Sequence, residues 1–159
     1  MESQPAESVQ VPGERYLSPD RSLLEMDRLH SLNHTLLLDL AREFGLRVSH
    51  ERTRHQLVFD ILKAYGARGT KILAEGMVEL SGEAYGFLRW PRFNFNPSPE
   101  DVYVPAAVLK RFGLRPGHKV NGFIRSPRDK EKFMALEEVV AIEAPSQISN
   151  LLWPLIHQQ

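Results

Sequence analysis

Met77-Val78-Glu79-Leu80 and, a turn later, Tyr85-Gly86-Phe87-Leu88-Arg89 are the residues that decide the fold. Both segments are short and rich in β-branched or aromatic side chains. Turn-forming residues separate them, which marks a pair of strands rather than a helix. Successive strand side chains point to opposite faces, so Tyr85, Phe87 and Arg89 share one face while Leu88 points into a core. Gly86, between the two rings, removes a side chain from that inner face. Downstream, Asp101-Val102-Tyr103-Val104, Lys119 to Arg125 and Lys132 to Glu143 supply three more strands. Pro105 can open a short helix over Ala106 to Phe112, Gly113 can end it, and Arg115-Pro116-Gly117-His118 reads as a turn. Five strands within residues 75–143, with a small helix after the third, suit a small closed barrel.

Upstream of Gly69 the period changes to that of a helix. Ser22-x-x-Glu25 reads as a capping box ahead of Leu23, Leu24, Met26, Leu29 and Leu32. Leu37, Leu40, Ala41 and Phe44 recur at helical spacing and stop at Gly45. Thr53-x-x-Gln56 is a second capping box, opening a helix whose apolar face is Leu57, Val58, Ile61, Leu62 and Tyr65 and which Gly66 would end. Leu46 to Arg52 between them should run extended. The expected class is therefore α+β: a helix-extended-helix subdomain over 22–70, then a five-stranded barrel of the OB or cold-shock type over 75–143. Residues 1–21, with Pro5, Pro12, Gly13 and Pro19, read as a flexible arm. The tail over 144–159 is apolar at Leu151, Leu152, Trp153, Leu155 and Ile156 and has no obvious place in the barrel.

Composition narrows the function classes. Of 159 residues, 42% are hydrophobic and 25% charged, enough apolar side chains for a folded core. The absence of cysteine excludes disulfide scaffolds, thiol nucleophiles and Cys-type zinc or iron–sulfur sites. No apolar run approaches the ~20 residues that span a bilayer, and the polar start Met1 to Gln10 is unlike a signal peptide. A reducing cytoplasm and no membrane partner are the expectation. Formal net charge is zero, but between Val104 and Leu136 eight basic residues face only Asp129 and Glu131. That local excess of positive charge suits an anionic partner.

Three strands each offer an aromatic on a face also carrying charge: Tyr85, Phe87 and Arg89; Asp101 and Tyr103; Glu131, Phe133 and Ala135, opposite Met134 and Leu136. Such a face suits single-stranded nucleic acid. Bases stack on rings for ~1–3 kcal/mol each, arginine meets phosphate or a base edge, and carboxylates accept from exocyclic amines such as cytosine N4. A lone strand aromatic is more often core than ligand platform. Here the aliphatic residues on the alternate registers already supply a core, which favours a platform for the set.

These residues resemble the N-terminal RNA-binding region of the bacterial transcription termination factor Rho. The matching segments are Gly76-Met-Val-Glu-Leu through Arg89, Asp101 to Val104 with Leu109 to Gly117 following, and Val120 to Pro127 with Glu131 to Leu136. The helical pair from Leu29 to Tyr65 resembles the subdomain that precedes the barrel in that family. The resemblance implies binding of single-stranded, pyrimidine-rich RNA with a preference for cytosine. It puts Tyr85 and Phe87 at the ring positions and Arg89 at the basic position of the aromatic strand motif. Asp101 and Tyr103 fall on the second motif, Arg111 in a basic pair, and Glu131 and Phe133 at acid-x-aromatic positions. Phe133 stands where a tyrosine is usual, so stacking survives without a hydroxyl contact. Arg128 joins Arg89 and Arg111 as a candidate phosphate or base-edge contact.

No Gly-x-x-x-x-Gly-Lys-[Ser/Thr] occurs, so the phosphate-binding motif of the family's ATPase is missing. No enzymatic activity, cofactor or metal is expected. His30 and His34, spaced i, i+4, have no ligand triad around them, and Ser49-His50 is mere adjacency. Two function classes stay open: an RNA-binding module linked to termination, with single-stranded DNA as a further ligand, and a protein-interaction module. The latter would dock on a termination factor or the transcription machinery through the apolar tail, or compete for its RNA.

Overall fold

In the computed structural model, which describes residues 11–49, 51–82, 84–128 and 130–144, the change of period near Gly69 is the joint between helices and barrel. The helical part comprises a short strand β1 (Leu23–Glu25) and helices α1 (Met26–His30), α2 (His34–Glu43) and α3 (Arg54–Ala67). The barrel comprises β2 (Lys71–Ser81), β3 (Tyr85–Arg89), β4 (Val102–Val104), helix α4 (Ala106–Phe112), β5 (Lys119–Arg125) and β6 (Ala135–Glu143). Its strand order β2-β3-β4-β6-β5 closes through pairing of β5 with β2, and β1 lies outside as a sixth strand. This is an OB-type barrel with a helical subdomain, the architecture expected from sequence.

Local signals explain several elements. Thr53 Oγ1 accepts from Gln56 N and Gln56 returns the bond to Thr53 N, completing the capping box. Asn33 caps α2 through Leu36 N. Gly113, at φ 60°, ends α4 in the left-handed region that favours glycine. Gly86 is required for another reason: a Cβ there would lie 2.6 Å from the backbone oxygen of Glu79, so β2 and β3 could not pair as closely.

Other local signals lost to tertiary pairing. Ser22 caps no helix; its hydroxyl donates to Asp20 Oδ1 at 2.8 Å. Leu23–Glu25 instead pair in parallel with Lys71 to Leu73, so α1 starts only at Met26. That pairing, together with the pairing of Ile72 to Met77 with β5, makes β2 six residues longer at its start than the Met77 segment suggested. Helix α3 runs through Gly66 to Ala67. From Val11 on, the expected arm is packed: Tyr65 Oη donates to Gly13 O at 2.8 Å, and the Arg15 guanidinium donates one hydrogen bond to each carboxylate oxygen of Glu43. The last strand starts at Ala135 instead of Lys132. Met134, Ala135 and Leu136 are all buried, so Ala135 does not share a face with Glu131 and Phe133 as the alternation implied.

One core runs through both parts. Leu24, Met26, Leu29, Leu37, Leu40, Ile61 and Tyr65 belong to the same buried cluster as Val78, Leu88, Val102, Val120 and Leu136. A core shared in this way couples the stability of the helical part to that of the barrel. The apolar tail expected to dock or pack lies outside the described residues.

Candidate nucleic-acid interface

The outward face of β3 carries Tyr85, Phe87 and Arg89, while Gly86 and Leu88 turn inward. Register does the rest. Phe87 stands opposite Tyr103 on β4, and Tyr103 donates its backbone N–H to Met134 O at 2.8 Å, which brings Phe133 to the same face. The four rings form one continuous cluster. Centroids are 6.0 Å apart for Tyr85 and Phe87, 5.5 Å for Tyr85 and Tyr103, 6.0 Å for Phe87 and Tyr103, and 5.1 Å for Phe87 and Phe133. Tyr85 is 38% exposed and the other three are half-buried. Edge-on contacts hold the rings in place and leave ring surface toward solvent.

Arg89 is fixed from three sides. It pairs with Glu79 on β2, its Nε donates to Asp101 Oδ2 at 3.1 Å, and its guanidinium lies 5.4 Å from the Phe87 ring centroid. Asp101, read as a displayed acceptor, is 3% exposed. Its Oδ2 also accepts from Ser98 N at 3.1 Å, whereas Oδ1 is buried with no hydrogen-bond partner among the described residues. Burial pushes its carboxyl above the ordinary aspartate value, and the nearby Glu79 charge adds to the rise. The Ser98 N–H and Arg89 offset only part of it.

Glu131 is exposed and bound differently. Arg125 donates to both of its oxygens, at 2.7 and 3.2 Å, and the backbone N–H of Arg128 donates to Oε1 at 2.7 Å. Arg125 first, then the Arg128 N–H, hold its carboxyl down at about 2. Lys130, just before Glu131, sits at φ 72°, and Glu131 N donates to Arg128 O at 2.9 Å. The side chain of Arg128 is exposed. Arg111 lies on α4 rather than on the sheet, exposed, with its guanidinium 5.3 Å from the Phe112 ring centroid. The fold thus gathers Tyr85, Phe87, Arg89, Asp101, Tyr103 and Phe133, with Glu131 and Arg128 on the adjoining loop.

Sequence reasoning missed Glu79 as the second partner of Arg89. Its signal was the register of the β2–β3 hairpin, which sets Glu79 opposite Phe87. Ser98, which holds both the backbone and the carboxylate of Asp101, gave no signal. His30 and His34 lie on different helices, and His30 Nε2 meets Glu100 Oε1 at 2.9 Å instead. Among the described residues no helix is long and apolar enough to cross a membrane.

Residues 74–147 match the family described as Rho termination factor, RNA-binding domain. Similar relatives include three proteins named transcription termination factor Rho. That of Aquifex aeolicus is 40% identical over 100 residues, which are 63% of this chain and 23% of the relative. That of Rhodopirellula baltica is 35% identical over 122 residues (77% and 24%), and that of Bacillus subtilis is 34% identical over 120 residues (75% and 28%). The chain spans about a quarter of the length of the curated relatives it matches.

Proposed function

Since residues 74–147 belong to the Rho RNA-binding domain family, we propose that this chain is a single-stranded RNA-binding module linked to transcription termination, with a preference for pyrimidine-rich and especially cytosine-rich RNA. The observation that carries this reading is the four-ring cluster with the Arg89–Asp101 pair at its edge. Tyr85, Phe87, Tyr103 and Phe133 stack on bases. Arg89, Arg111 and Arg128 meet phosphates or base edges, and Asp101 and Glu131 accept from base amines. Asp101 is held beside Arg89 at the edge of the rings, and a carboxylate there favours a base that presents an amine. Cytosine offers N4 in this way, and uracil presents a carbonyl there. The role needs no chemistry on the RNA, so the module acts by binding alone.

Fluorescence anisotropy with short oligo(C), oligo(U) and oligo(A) RNAs tests the reading. Oligo(C) should bind tightest, and Tyr103→Ala should weaken it about tenfold or more, the value of one lost base stack. Circular dichroism of the variant should stay unchanged. A folded protein that binds none of the three at low salt would sink the RNA reading and leave the protein-interaction module.

A further inference from the structure

A second polar cluster, buried between the helical subdomain and the barrel, leads directly to the Arg89–Asp101 pair. Glu100, next to Asp101, is 3% exposed. Its Oε1 meets His30 Nε2 at the end of α1 at 2.9 Å, and its Oε2 meets His55 Nδ1 in the first turn of α3 at 2.5 Å. Burial pushes the Glu100 carboxyl up, but the two histidine contacts outweigh it and hold the group below the ordinary glutamate value, as a charged acceptor. The two helices are themselves locked together: Arg54 donates to Leu32 O at 2.6 Å and to His30 O at 2.8 Å.

The same histidine reaches the other end of the pair. Its ring lies edge-on to Trp90, the residue after Arg89, with centroids 5.4 Å apart. Between Glu100 and Asp101 the coupling is tight. Glu100 N donates to Ser98 Oγ, Ser98 N donates to Asp101 Oδ2, and Asp101 N returns to Ser98 O. Both members of the Arg89–Asp101 pair therefore have a sequence neighbour tethered to His30.

We infer that the His30–Glu100–His55 clasp is a positioning device: through Ser98 and Trp90 it sets the geometry of Arg89 and Asp101, so that the helical subdomain tunes base selectivity on a face it does not itself form. The inference rests on the RNA-binding reading above. Glu100, His30 and His55 are positioning residues, and none of them touches the RNA. Displacing the Arg89–Asp101 pair by a few tenths of an ångström would spoil a directional hydrogen bond to a base. Stacking and phosphate contacts, which tolerate such shifts, would remain.

The test compares the oligo(C)-to-oligo(U) affinity ratio in the full chain with that in Glu100→Gln, His55→Ala and His55→Asn. Asparagine can place an amide N–H near the position of histidine Nδ1, so His55→Asn is the rescue. Expected results are a ratio reduced about fivefold in Glu100→Gln and His55→Ala, the scale of one ordinary hydrogen bond. Oligo(U) affinity should change little, and His55→Asn should recover most of the ratio. His55 is the half-exposed member, so its variants remain informative if Glu100→Gln folds poorly. Folded variants with an unchanged ratio, or His55→Ala and His55→Asn behaving alike, would overturn the inference and leave RNA binding intact. Failure of the wild type to bind would instead refute the RNA reading. The Nε–H resonance of Arg89 then decides about the clasp: it should shift in Glu100→Gln, and an unmoved resonance would overturn the positioning role.

Discussion

The two halves of the proposed RNA face use the same pairing, an arginine gripping a carboxylate, in different settings. On the sheet, Arg89 lies between Glu79 and Asp101, its side chain 12% exposed and that of Asp101 3%. On the loop between β5 and β6, Arg125 holds Glu131 with side chains 21% and 35% exposed, so the carboxylate is the more open partner. In low dielectric a charge pair is strong, but each partner depends on the other to offset lost hydration. In water the same pair is weak, screened and easily exchanged for a phosphate or a base. The sheet half is thus preorganised for reading a base. The loop half is suited to adjusting around a backbone.

The largest expected effect separates the halves by stability. Arg89→Ala leaves Glu79 and Asp101 without their shared cation in a largely buried site and should cost about 3 kcal/mol. Arg125→Ala should cost at most about 1 kcal/mol, since the Glu131 carboxylate it leaves behind is solvated. Urea denaturation of both variants measures the difference. Equal losses would remove the distinction between a buried and a solvated pair.

Titration should sharpen it next. Asp101 has a raised carboxyl pKa from burial, whereas Glu131 is held at about 2 by Arg125. Carboxyl-carbon resonances followed from pH 7 downward should therefore show Asp101 protonating first. The stability signs are opposite. Because the folded value of Asp101 lies above its unfolded one, its contribution is fully present below the unfolded value and is lost as pH rises through the folded value. Glu131, with a depressed folded value, contributes above its unfolded pKa of ~4.3 and loses that contribution as pH falls toward 2. Asp101→Asn should flatten the stability profile in the upper window and Glu131→Gln in the lower. Glu131 titrating ahead of Asp101 would reverse the assignment of rigid and open halves.

How much of this was legible in sequence follows the same division between local and long-range causes. The Thr53 capping box, Gly113 at the end of α4 and the alternation in Tyr85 to Arg89 are local signals, and the structure keeps them. The ring face was legible because alternation fixes Tyr85 beside Phe87, and two further aromatics sat at matching places in later strands. What escaped depends on contacts between distant segments. Ser22 looked like a cap until Leu23–Glu25 found a pairing partner at Lys71 to Leu73. Asp101 looked displayed, but Arg89 and Ser98 N–H draw its carboxylate inward. Glu100 had no sequence signal, since its partners lie 70 and 45 residues away.

The smallest expected effect probes the open half alone. Arg128 engages Glu131 through its backbone N–H, and its side chain is exposed, so a phosphate can reach its guanidinium at little desolvation cost. For single strands the log affinity falls with log salt by ~0.7 per neutralised phosphate. With net charge zero and few phosphates contacted, the whole protein should show a shallow slope. Arg128→Ala should flatten it by about 0.7 to 1 and weaken oligo(C) and oligo(A) alike by a few-fold. Arg111→Ala, on α4, should do the same. A phosphate contact has no means of telling cytosine from adenine, so the affinity ratio should stay at the wild-type value in both variants. A fall in that ratio for Arg128→Ala would place its guanidinium on a base edge, and selectivity would then extend from the sheet onto the loop.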